Sequence, residues 1–341
     1  MNVRIKNILL IAGVAILAAS CGNGKSGTTE TVSKAGHPKM SAKDRLAKNN
    51  NLEKHLTWER NNLKGKVKKV TIKEYIITMK GDKEQRTLDS WGDDSYNANG
   101  YITESNSYTD DGKPDKKTMI MYDANNNDTA AYTYSADGNL AHRNVITNDS
   151  RGNEIASVSY DSKGKQMDWA SRFKYDNEDN LIEMAFDNTG EGRFMDKVNY
   201  TFDENGFKTG GKSFDSGKVK SLWLCKYDEK GNYLYGAQYK ADSTLISKDS
   251  SKYDADGHRL EMVRYNGDGS CLDKYISKYD NHGNRIEFHS YKGAHFSVPD
   301  VEEYDEYTYD TTGNILTKKK YAVKNGKKEL VAVVEYEYLY Y

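Results

Sequence analysis

Metal-binding or catalytic chemistry in this sequence would have to come from scattered histidine, cysteine and carboxylate side chains. His282, His289 and His295 form the densest histidine group, but their spacing is not that of a zinc site and no cysteine lies nearby. The 51 acidic residues form many adjacent pairs, so a pair alone identifies no glycosidase-type site. Gly-x-Ser-x-Gly and His-Glu-x-x-His motifs are absent from the sequence. We therefore expect no metal, no cofactor and no enzymatic activity.

Clusters of aspartate and asparagine suggest a second kind of chemistry, calcium binding. Residues 123–127 and 254–257 resemble the first half of a calcium-binding loop. The helix-loop-helix form of that site needs an acid at its twelfth position, and counting from Asp123 places Tyr134 there. We therefore interpret these aspartates as turn formers, because an aspartate side chain hydrogen-bonds the backbone two residues further on.

Cys21 is a candidate for lipid attachment. Arg4 and Lys6 precede an unbroken stretch of small and apolar residues over positions 8–19. That stretch is shorter than the roughly 20 residues that span a bilayer, and it is typical of a signal peptide. The small residues directly before Cys21 resemble the lipobox of bacterial lipoproteins, in which the cysteine is diacylated and the chain is cut before it. The alternative is an ordinary secretory signal cut near Ala19.

The lipobox resemblance implies a lipid-anchored protein of a Gram-negative envelope. Gly22 stands in place of the aspartate that holds some lipoproteins at the inner membrane, so the outer membrane is the expected location. Several acyl chains on one residue anchor firmly, since each buried CH₂ adds about 0.8 kcal/mol. We expect a signal peptide over residues 1–20. Residues 21–62 would hold the lipidated cysteine, a flexible tether and a short helix that Ser41 would cap.

An internal repeat must position all of these side chains, and it dominates the chain after about residue 95. An aromatic residue, usually followed by Asp or Asn, precedes a Gly within the next few positions. Most steps between motif starts alternate between 12 and 14 residues, so the full period is 26 residues. One period then contains two strands and two turns, and alternate turns lie on opposite edges of one antiparallel meander. The motif begins at Tyr96, Tyr108, Tyr122, Tyr134, Asn148, Tyr160, Tyr175, Phe186, Phe202, Phe214, Tyr227, Tyr239, Tyr253, Tyr265, Tyr279 and Tyr291.

The segments between the turns alternate as strands do. An aliphatic residue follows the closing Gly, or its equivalent, by three positions, and a polar and then a second apolar residue follow in several repeats. This period-two pattern is typical of strands with one buried and one exposed face. Thr209 breaks the rule. The aliphatic positions are Ile155, Ile182, Leu234, Leu260, Ile286 and Leu316.

The Tyr-Asp-x-x-Gly-Asn pattern, clearest from Tyr227, Tyr279 and Tyr309, resembles the tyrosine–aspartate (YD) repeats of rearrangement-hotspot proteins and related envelope proteins. The resemblance covers roughly residues 96–321, about two-thirds of the chain. In the large members of that family the repeat sheet spirals into a hollow shell around a toxin domain. This chain is much shorter and ends in a Tyr-rich strand over residues 331–341, so the resemblance implies the repeat sheet without an enclosed toxin.

We therefore predict an all-β fold over residues 63–341, an extended, twisted or coiled antiparallel β-meander of repeated hairpins. Residues 63–75 and 76–88 are predicted as the leading hairpin, and capping strands are expected at both ends. About eighteen to twenty strands cannot stay flat, because neighbouring strands twist, so one face should be sheltered. Cys225 and Cys271 would lie four strands, about 19 Å, apart, whereas a disulfide needs Cα atoms within about 7 Å.

Composition fits such a sheet and excludes one class of partner. The chain contains 27 Tyr, 28 Gly and only 3 Pro, and tyrosine suits half-buried sheet surfaces. The net charge is −1, with acidic and basic residues interleaved along the chain. Because no basic stripe or patch stands out, nucleic acid is not an expected partner.

Three functions remain open at the level of sequence. The first, which we favour, is a non-enzymatic scaffold that binds an unknown envelope or extracellular protein, since tyrosine is enriched at interfaces. The second is a cell-surface glycan-binding module in which Trp169, Trp223 and Tyr233 stack on sugars. Against it stands the interpretation that these rings pack across neighbouring strands. The third is a relative of a toxin-delivery shell, which requires a closed hollow.

Overall fold

The computed structural model describes residues 57–58, 61–81, 83–204, 206–293 and 296–341. The predicted signal peptide, Cys21, the tether and most of the helix expected from Ser41 lie outside the described residues, as does His295. Every regular element within the described ranges is a β-strand. No helix in these ranges is long and apolar enough to cross a membrane.

Twenty antiparallel strands make up the described part of the chain, and each pairs with the next one along the sequence. The strands are β1 (Val67–Lys80), β2 (Lys83–Tyr96), β3 (Ile102–Tyr108), β4 (Pro114–Tyr122), β5 (Asp128–Ser135), β6 (Leu140–Asn148), β7 (Glu154–Asp161), β8 (Gln166–Tyr175), β9 (Leu181–Asp187), β10 (Asp196–Phe202), β11 (Lys208–Asp215), β12 (Lys218–Tyr227), β13 (Tyr233–Lys240), β14 (Leu245–Tyr253), β15 (Arg259–Asn266), β16 (Cys271–Tyr279), β17 (Arg285–Lys292), β18 (Val301–Tyr309), β19 (Ile315–Lys324) and β20 (Lys327–Tyr340).

The sheet closes on itself, because β1 and β20 also pair with each other. Their antiparallel ladder runs from Val67 opposite Tyr340 to Ile76 opposite Ala332. Val333, near the Ile76 end of this seam, is almost fully buried. The described residues thus form a closed barrel of twenty strands. A circular ring of that size measures roughly 30–40 Å across between backbones.

The predicted all-β meander of hairpins is confirmed, but the two capped ends expected from the sequence are not found. Instead of capping an open ribbon, the first and last strands are partners. The physical reason is that an open meander leaves a row of unpaired N–H and C=O groups at each end, and closure removes both rows. The accumulated strand twist, which we expected only to coil the sheet, brings the ends together.

Turns alternate between the two ends of the barrel, as the 26-residue period predicted. We call the end that carries the turns after the even-numbered strands the ladder rim, and the other end the opposite rim. In each ladder-rim turn the first residue's N–H donates to the fifth residue's carbonyl, and the fourth residue's N–H donates to the first residue's carbonyl. The fourth residue has positive φ, as at Gly283 (+81°). These turns span residues 97–101, 123–127, 149–153, 176–180, 203–207, 228–232, 254–258, 280–284 and 310–314.

One β-bulge follows each ladder-rim turn. Tyr253 pairs with Arg259 and Lys252 pairs with Glu261, so Leu260 has no residue directly opposite. Because a bulge inserts one residue into the alternation, it exchanges the faces that the following side chains take. The bulge residues are Thr103, Thr129, Ile155, Ile182, Thr209, Leu234, Leu260, Ile286 and Leu316.

These bulge residues include every aliphatic position of the sequence rule, and most of those aliphatic side chains are exposed. Ile182 is 36% exposed, whereas Leu181 directly before it is 3% exposed. Thr209, which breaks the rule by residue type, occupies the same structural position as the others. A count of alternating faces from the sequence does not allow for the inserted residue, and therefore does not show which residue is buried.

The pairing register assigns each strand side chain to the lumen or to the outer wall. Asp94 and Tyr96 share one face of β2 with Val70 of β1, and this face carries the buried cluster that also includes Ile102 and Ile120. We assign it to the lumen. The bulge in each strand shifts the alternation of inward and outward side chains by one residue. The motif tyrosines before ladder-rim turns therefore point inward, and those before opposite-rim turns point outward.

The barrel is not filled by a single apolar core. The strand pairs in substantial contact are all neighbours in the ring, and the buried apolar cluster lies on β1 to β4 at the ladder rim. Further along the lumen wall small polar side chains are buried beside apolar ones: Thr118 lies opposite Thr133 and Ser157 opposite Ser171, while Leu181 is 3% exposed.

Candidate functional site

The three rings that the sequence suggested as a sugar platform face the lumen but do not come together. Trp169 lies on β8 and stacks on Phe186 of β9, with 6.5 Å between ring centroids. Trp223 lies on β12, four strands away, and covers Gly211, where an added Cβ would meet its ring at 2.5 Å. The packing of both rings across neighbouring strands matches the competing interpretation.

Tyr233 is also held by its neighbours on the lumen wall. Its hydroxyl donates to Asp249 Oδ1 at 3.0 Å, and the ring lies so close to Gly236 that an added Cβ would be 1.7 Å from the hydroxyl oxygen. Burial raises the pKa of the Asp249 carboxyl. On the same wall Asp273 receives a two-pronged ion pair from Arg264. These groups form a structural polar cluster, in which the buried Asp249 Oδ2 has no hydrogen-bond partner among the described residues.

The two cysteines of the repeat domain form no disulfide within the described residues. Cys225 lies near the end of β12 and Cys271 begins β16, four strands further round the barrel. This is the separation that the 26-residue period predicted. Burial raises the pKa of the Cys271 thiol, which disfavours the reactive thiolate.

The described histidines do not form a cluster. His282 lies in a ladder-rim turn and stacks on Tyr309 with 3.9 Å between centroids. His289 lies on the outer wall, 3.4 Å from a Glu287 oxygen and 3.8 Å from a Glu302 oxygen. Within the described ranges no group of three or more His, Cys, Asp or Glu side chains is arranged to bind a metal ion.

The aspartates of the turns close those turns, as the sequence interpretation held. Asp123 Oδ1 accepts the backbone N–H groups of Asn125 and Asn127, and its Oδ2 accepts the Asn127 side-chain amide. The Asn127 side chain and backbone thereby hold the pKa of the Asp123 carboxyl below its usual value. Asp254 bonds His258 in the same way. Carboxylates committed to their own turns are poor candidates for a calcium loop.

Neighbouring ladder-rim turns also contact one another, which gives the rim its name. The fifth residue of one turn lies beneath the glycine of the next, as Asn127 does under Gly152 and His258 under Gly283. At the seam the backbone N–H of Lys64 donates to Asn314 Oδ1, and Asn314 Nδ2 donates to the Lys64 carbonyl. The segment before β1 therefore completes the ladder between the last turn and the first.

Among the described residues, a cavity that sequence reasoning missed lies on the lumen side of β1. Its volume is about 340 Å³, and it lies at the ladder rim where β1, β2 and β20 meet. Segment 61–64 and the turns 280–284 and 310–314 form its other walls. The β1–β20 pairing brings segment 61–64 and β20 together at this place, so no local sequence signal identifies the cavity. The sequence showed Tyr336 and Tyr338 as alternating residues of a Tyr-rich strand, but it gave no sign that they line a cavity.

The outer wall carries charges along the full height of the strands. Lys174 pairs with Glu183 at 2.6 Å and Lys278 with Glu287 at 2.8 Å, each across neighbouring strands. The exposed aliphatic bulge residues lie next to these pairs, because Ile182 directly precedes Glu183. The wall therefore presents exposed apolar side chains within a charged surface.

The fold and the site define a closed antiparallel barrel of hairpin repeats. No protein-family model and no curated protein sequence matches the chain. Among solved structures it is similar to a porin-like protein from Bacteroides uniformis, with 14% identity and a TM-score of 0.35 over 80% of this chain and 96% of that one. It is also similar to a TcdB2-TccC3-Cdc42 structure, with 12% identity and a TM-score of 0.33 over 77% of this chain and 16% of that one.

A third solved structure, the pore of the Photorhabdus luminescens Tc holotoxin, gives nearly the same values. The identity is 12% and the TM-score 0.32, over 77% of this chain and 16% of that one. At these TM-scores the likeness carries no argument about function.

Proposed function

We propose that this protein is a non-enzymatic, lipid-anchored protein of the bacterial envelope, with a barrel of YD-type repeats that is a scaffold for protein–protein interaction. The observation that carries the proposal is the outer wall. Its exposed aliphatic bulge residues lie on β7, β9, β13, β15 and β19 at one height near the ladder rim, and those on successive odd-numbered strands are about 10 Å apart. Apolar side chains rimmed by polar ones are typical of interaction surfaces.

The charged outer wall supports a position of the barrel in water beside the membrane. Burying Lys174 or Lys278 in hydrocarbon would cost roughly 2–4 kcal/mol each near the bilayer midplane. The Trp58 indole N–H donates to the Val67 carbonyl at 2.7 Å, so the chain enters the barrel at the ladder rim. A tether from lipidated Cys21 would therefore turn the ladder rim towards the membrane and leave the outer wall accessible.

Metabolic labelling with a palmitate analogue tests the anchor. We expect label on the wild-type protein and none on Cys21→Ser, with the variant released from membranes by a buffer without detergent. Cys225→Ser is the matched control and should label as the wild type does. Equal labelling of wild type and Cys21→Ser would contradict the anchor without bearing on the scaffold.

Site-specific photocrosslinking in intact cells tests the scaffold. A photoreactive amino acid at Leu234 or Leu260, both on the outer wall, should capture the same protein. The same amino acid at Met262, which the register places in the lumen, should capture none. Substitution of Leu234, Leu260 and Leu316 together by serine should abolish capture from Ile182. Capture of unrelated proteins from each outer position, or of none, would contradict the proposal.

A further inference from the structure

The ladder-rim cavity is a built site, because its walls are held by hydrogen bonds that do not involve a ligand. Asn61 Nδ2 donates to the Tyr96 hydroxyl at 2.8 Å, and Tyr338 donates to the Ile315 carbonyl at 2.8 Å. The reciprocal pair between Lys64 and Asn314 closes the wall at the seam. A cavity of about 340 Å³ lies in the range of small-molecule sites, which is roughly 300–1,000 Å³.

The cavity combines apolar surface with a few polar groups that converge on it. Val70 and Ile72 form an apolar wall, and the Tyr336 and Tyr338 rings stand parallel within 6°, with 6.5 Å between centroids. The Asp94 side chain also lines the cavity, and the residue is only 5% exposed. The three rings suggested by the sequence, Trp169, Trp223 and Tyr233, do not come together around a shared cavity in this way.

Two of these polar groups have bonding capacity left for a ligand. The Tyr336 hydroxyl makes no hydrogen bond to the described residues, and burial raises its pKa to about 12, so it remains a donor. Asp94 accepts one hydrogen bond from Ser105, and its burial raises the pKa of the carboxyl. An apolar ligand would leave the Tyr336 hydroxyl unpaired and the Asp94 carboxyl with its Ser105 bond alone, at a cost of roughly 1–3 kcal/mol for each.

The charged groups of the cavity limit the chemical class of the ligand further. Among the polar groups of the cavity Asp94 is acidic, while the Lys64 ammonium is already bonded to Asn62 Oδ1 at 2.7 Å. The Lys64 ammonium and the Asp94 carboxyl therefore leave the lining without a net charge that would favour a phosphate or carboxylate. A neutral ring with hydroxyl groups on its edge and C–H groups on its face satisfies the carboxylate, the phenol and the aromatic surfaces together. We propose that this cavity binds a neutral saccharide of one or two sugar rings.

Calorimetric titration of the full chain, in a zwitterionic detergent without a sugar headgroup, tests this proposal. The probes are glucose, galactose, N-acetylglucosamine and their β-1,4-linked disaccharides, with glucose 6-phosphate as the charged comparison and p-cresol as the apolar one. We expect at least one neutral sugar to bind, and both comparison probes to bind at least tenfold more weakly. Failure of every neutral sugar to bind, or tighter binding of p-cresol, overturns the proposal.

Variants of the two ligand-facing groups locate the binding. Asp94→Asn should weaken the best sugar about tenfold, and Tyr336→Phe, which removes only a hydroxyl, should weaken it about fivefold. Tyr321→Phe is the matched control, because that hydroxyl bonds Glu306 on the outer wall, and its affinity should stay within twofold of wild type. If Asp94→Asn fails to fold, the affinity of Tyr336→Phe alone tests whether the sugar binds in this cavity. Unchanged affinity in Tyr336→Phe removes the cavity as the binding site.

Discussion

At the scale of single residues, the ladder-rim aspartates show how one side chain determines a turn. Asp228 Oδ1 accepts the backbone N–H groups of Lys230 and Asn232, and its Oδ2 accepts the Asn232 side-chain amide. Each bond satisfies a group that the turn would otherwise leave to water. This role was predictable from the sequence, because the bonds run between residues two and four positions apart.

Removal of the Asp228 carboxylate should therefore destabilise the protein. We expect Asp228→Ala to lower the free energy of unfolding by about 1–2 kcal/mol, since one carboxylate serves three donors. Asp110→Ala is the matched control, because Asp110 lies in an exposed turn and makes no hydrogen bond to the described residues. Urea unfolding at pH 7 measures both. Equal costs for the two variants would mean that the turn does not depend on its aspartate.

The pKa of Asp228 determines how that difference should change with pH. Burial raises the pKa of this carboxyl, but the hydrogen bonds from Asn232 and Lys230 outweigh burial and leave the pKa below its usual value. The stabilisation is therefore complete above the unfolded pKa of about 3.9 and is lost as the pH falls through the folded pKa. The difference between wild type and Asp228→Ala should shrink from pH 5 to pH 3. A constant difference over that range would contradict the assignment.

At the scale of elements, the contacts between turns matter as much as the turns themselves. Gly283 and Gly269 both have positive φ, +81° and +85°. A Cβ at Gly283 would lie 2.8 Å from His258 Nε2, whereas a Cβ at Gly269 would meet nothing within 4 Å. Stacking on Tyr279 and a bond to Asp254 hold the His258 ring in place. The sequence predicted glycines in the turns, but it did not show which glycine is in contact with a side chain of the neighbouring turn.

Alanine at these two glycines should separate backbone strain from turn packing. Gly269→Ala should cost about 1–2 kcal/mol, the penalty of a left-handed backbone for an L-residue. Gly283→Ala should cost about 1–3 kcal/mol more, because the new methyl group meets a fixed ring. Chemical denaturation of both variants measures the two costs. If they agree, the ladder contact contributes nothing to stability.

The bulges explain why the strand count was predictable while the buried face was not. Hairpin register follows from local turn chemistry, and the 26-residue period gave the order of the strands. Each bulge then adds one residue, which exchanges the inner and outer sets of side chains. Nothing in the local pattern distinguishes Leu181 from Ile182, since both are aliphatic and adjacent.

Alanine substitutions at this adjacent pair test the assignment of faces. Leu181→Ala should cost about 2–4 kcal/mol, because the side chain is buried on the lumen face. Ile182→Ala should cost less than about 1 kcal/mol, because that side chain is exposed at the bulge. Thermal and urea unfolding measure both. A larger cost at Ile182 would reverse the two faces at this strand.

At the scale of the whole molecule, closure determines everything that local pattern could not supply. The seam joins residues more than 250 positions apart, such as Lys73 opposite Glu335. Whether a meander closes depends on its total twist and on its number of strands. Both quantities are sums over all the hairpins, so the sequence of a single hairpin does not reveal them. The ladder-rim cavity exists only because of this seam, and for that reason Asp94 and Tyr336 were not candidates from the sequence.

An engineered disulfide across the seam tests closure directly. In a background with Cys225→Ser and Cys271→Ser, we expect Lys73→Cys with Glu335→Cys to oxidise readily, because opposed antiparallel residues have Cα atoms about 4.5–5.5 Å apart. In an open ribbon the same positions would be nineteen strand spacings apart, roughly 90 Å.

Lys73→Cys with Lys212→Cys is the matched control, because β11 lies half-way round the ring from β1 and both side chains face outward by register. This pair should stay reduced. Mass spectrometry of the oxidised protein, with and without reductant, identifies the bridged peptides. A monomer that bridges 73 to 335 but not 73 to 212 has the seam at β1 and β20. If neither pair bridges, the barrel is open at that seam, and the cavity between segment 61–64 and Tyr336 would lose one of its walls.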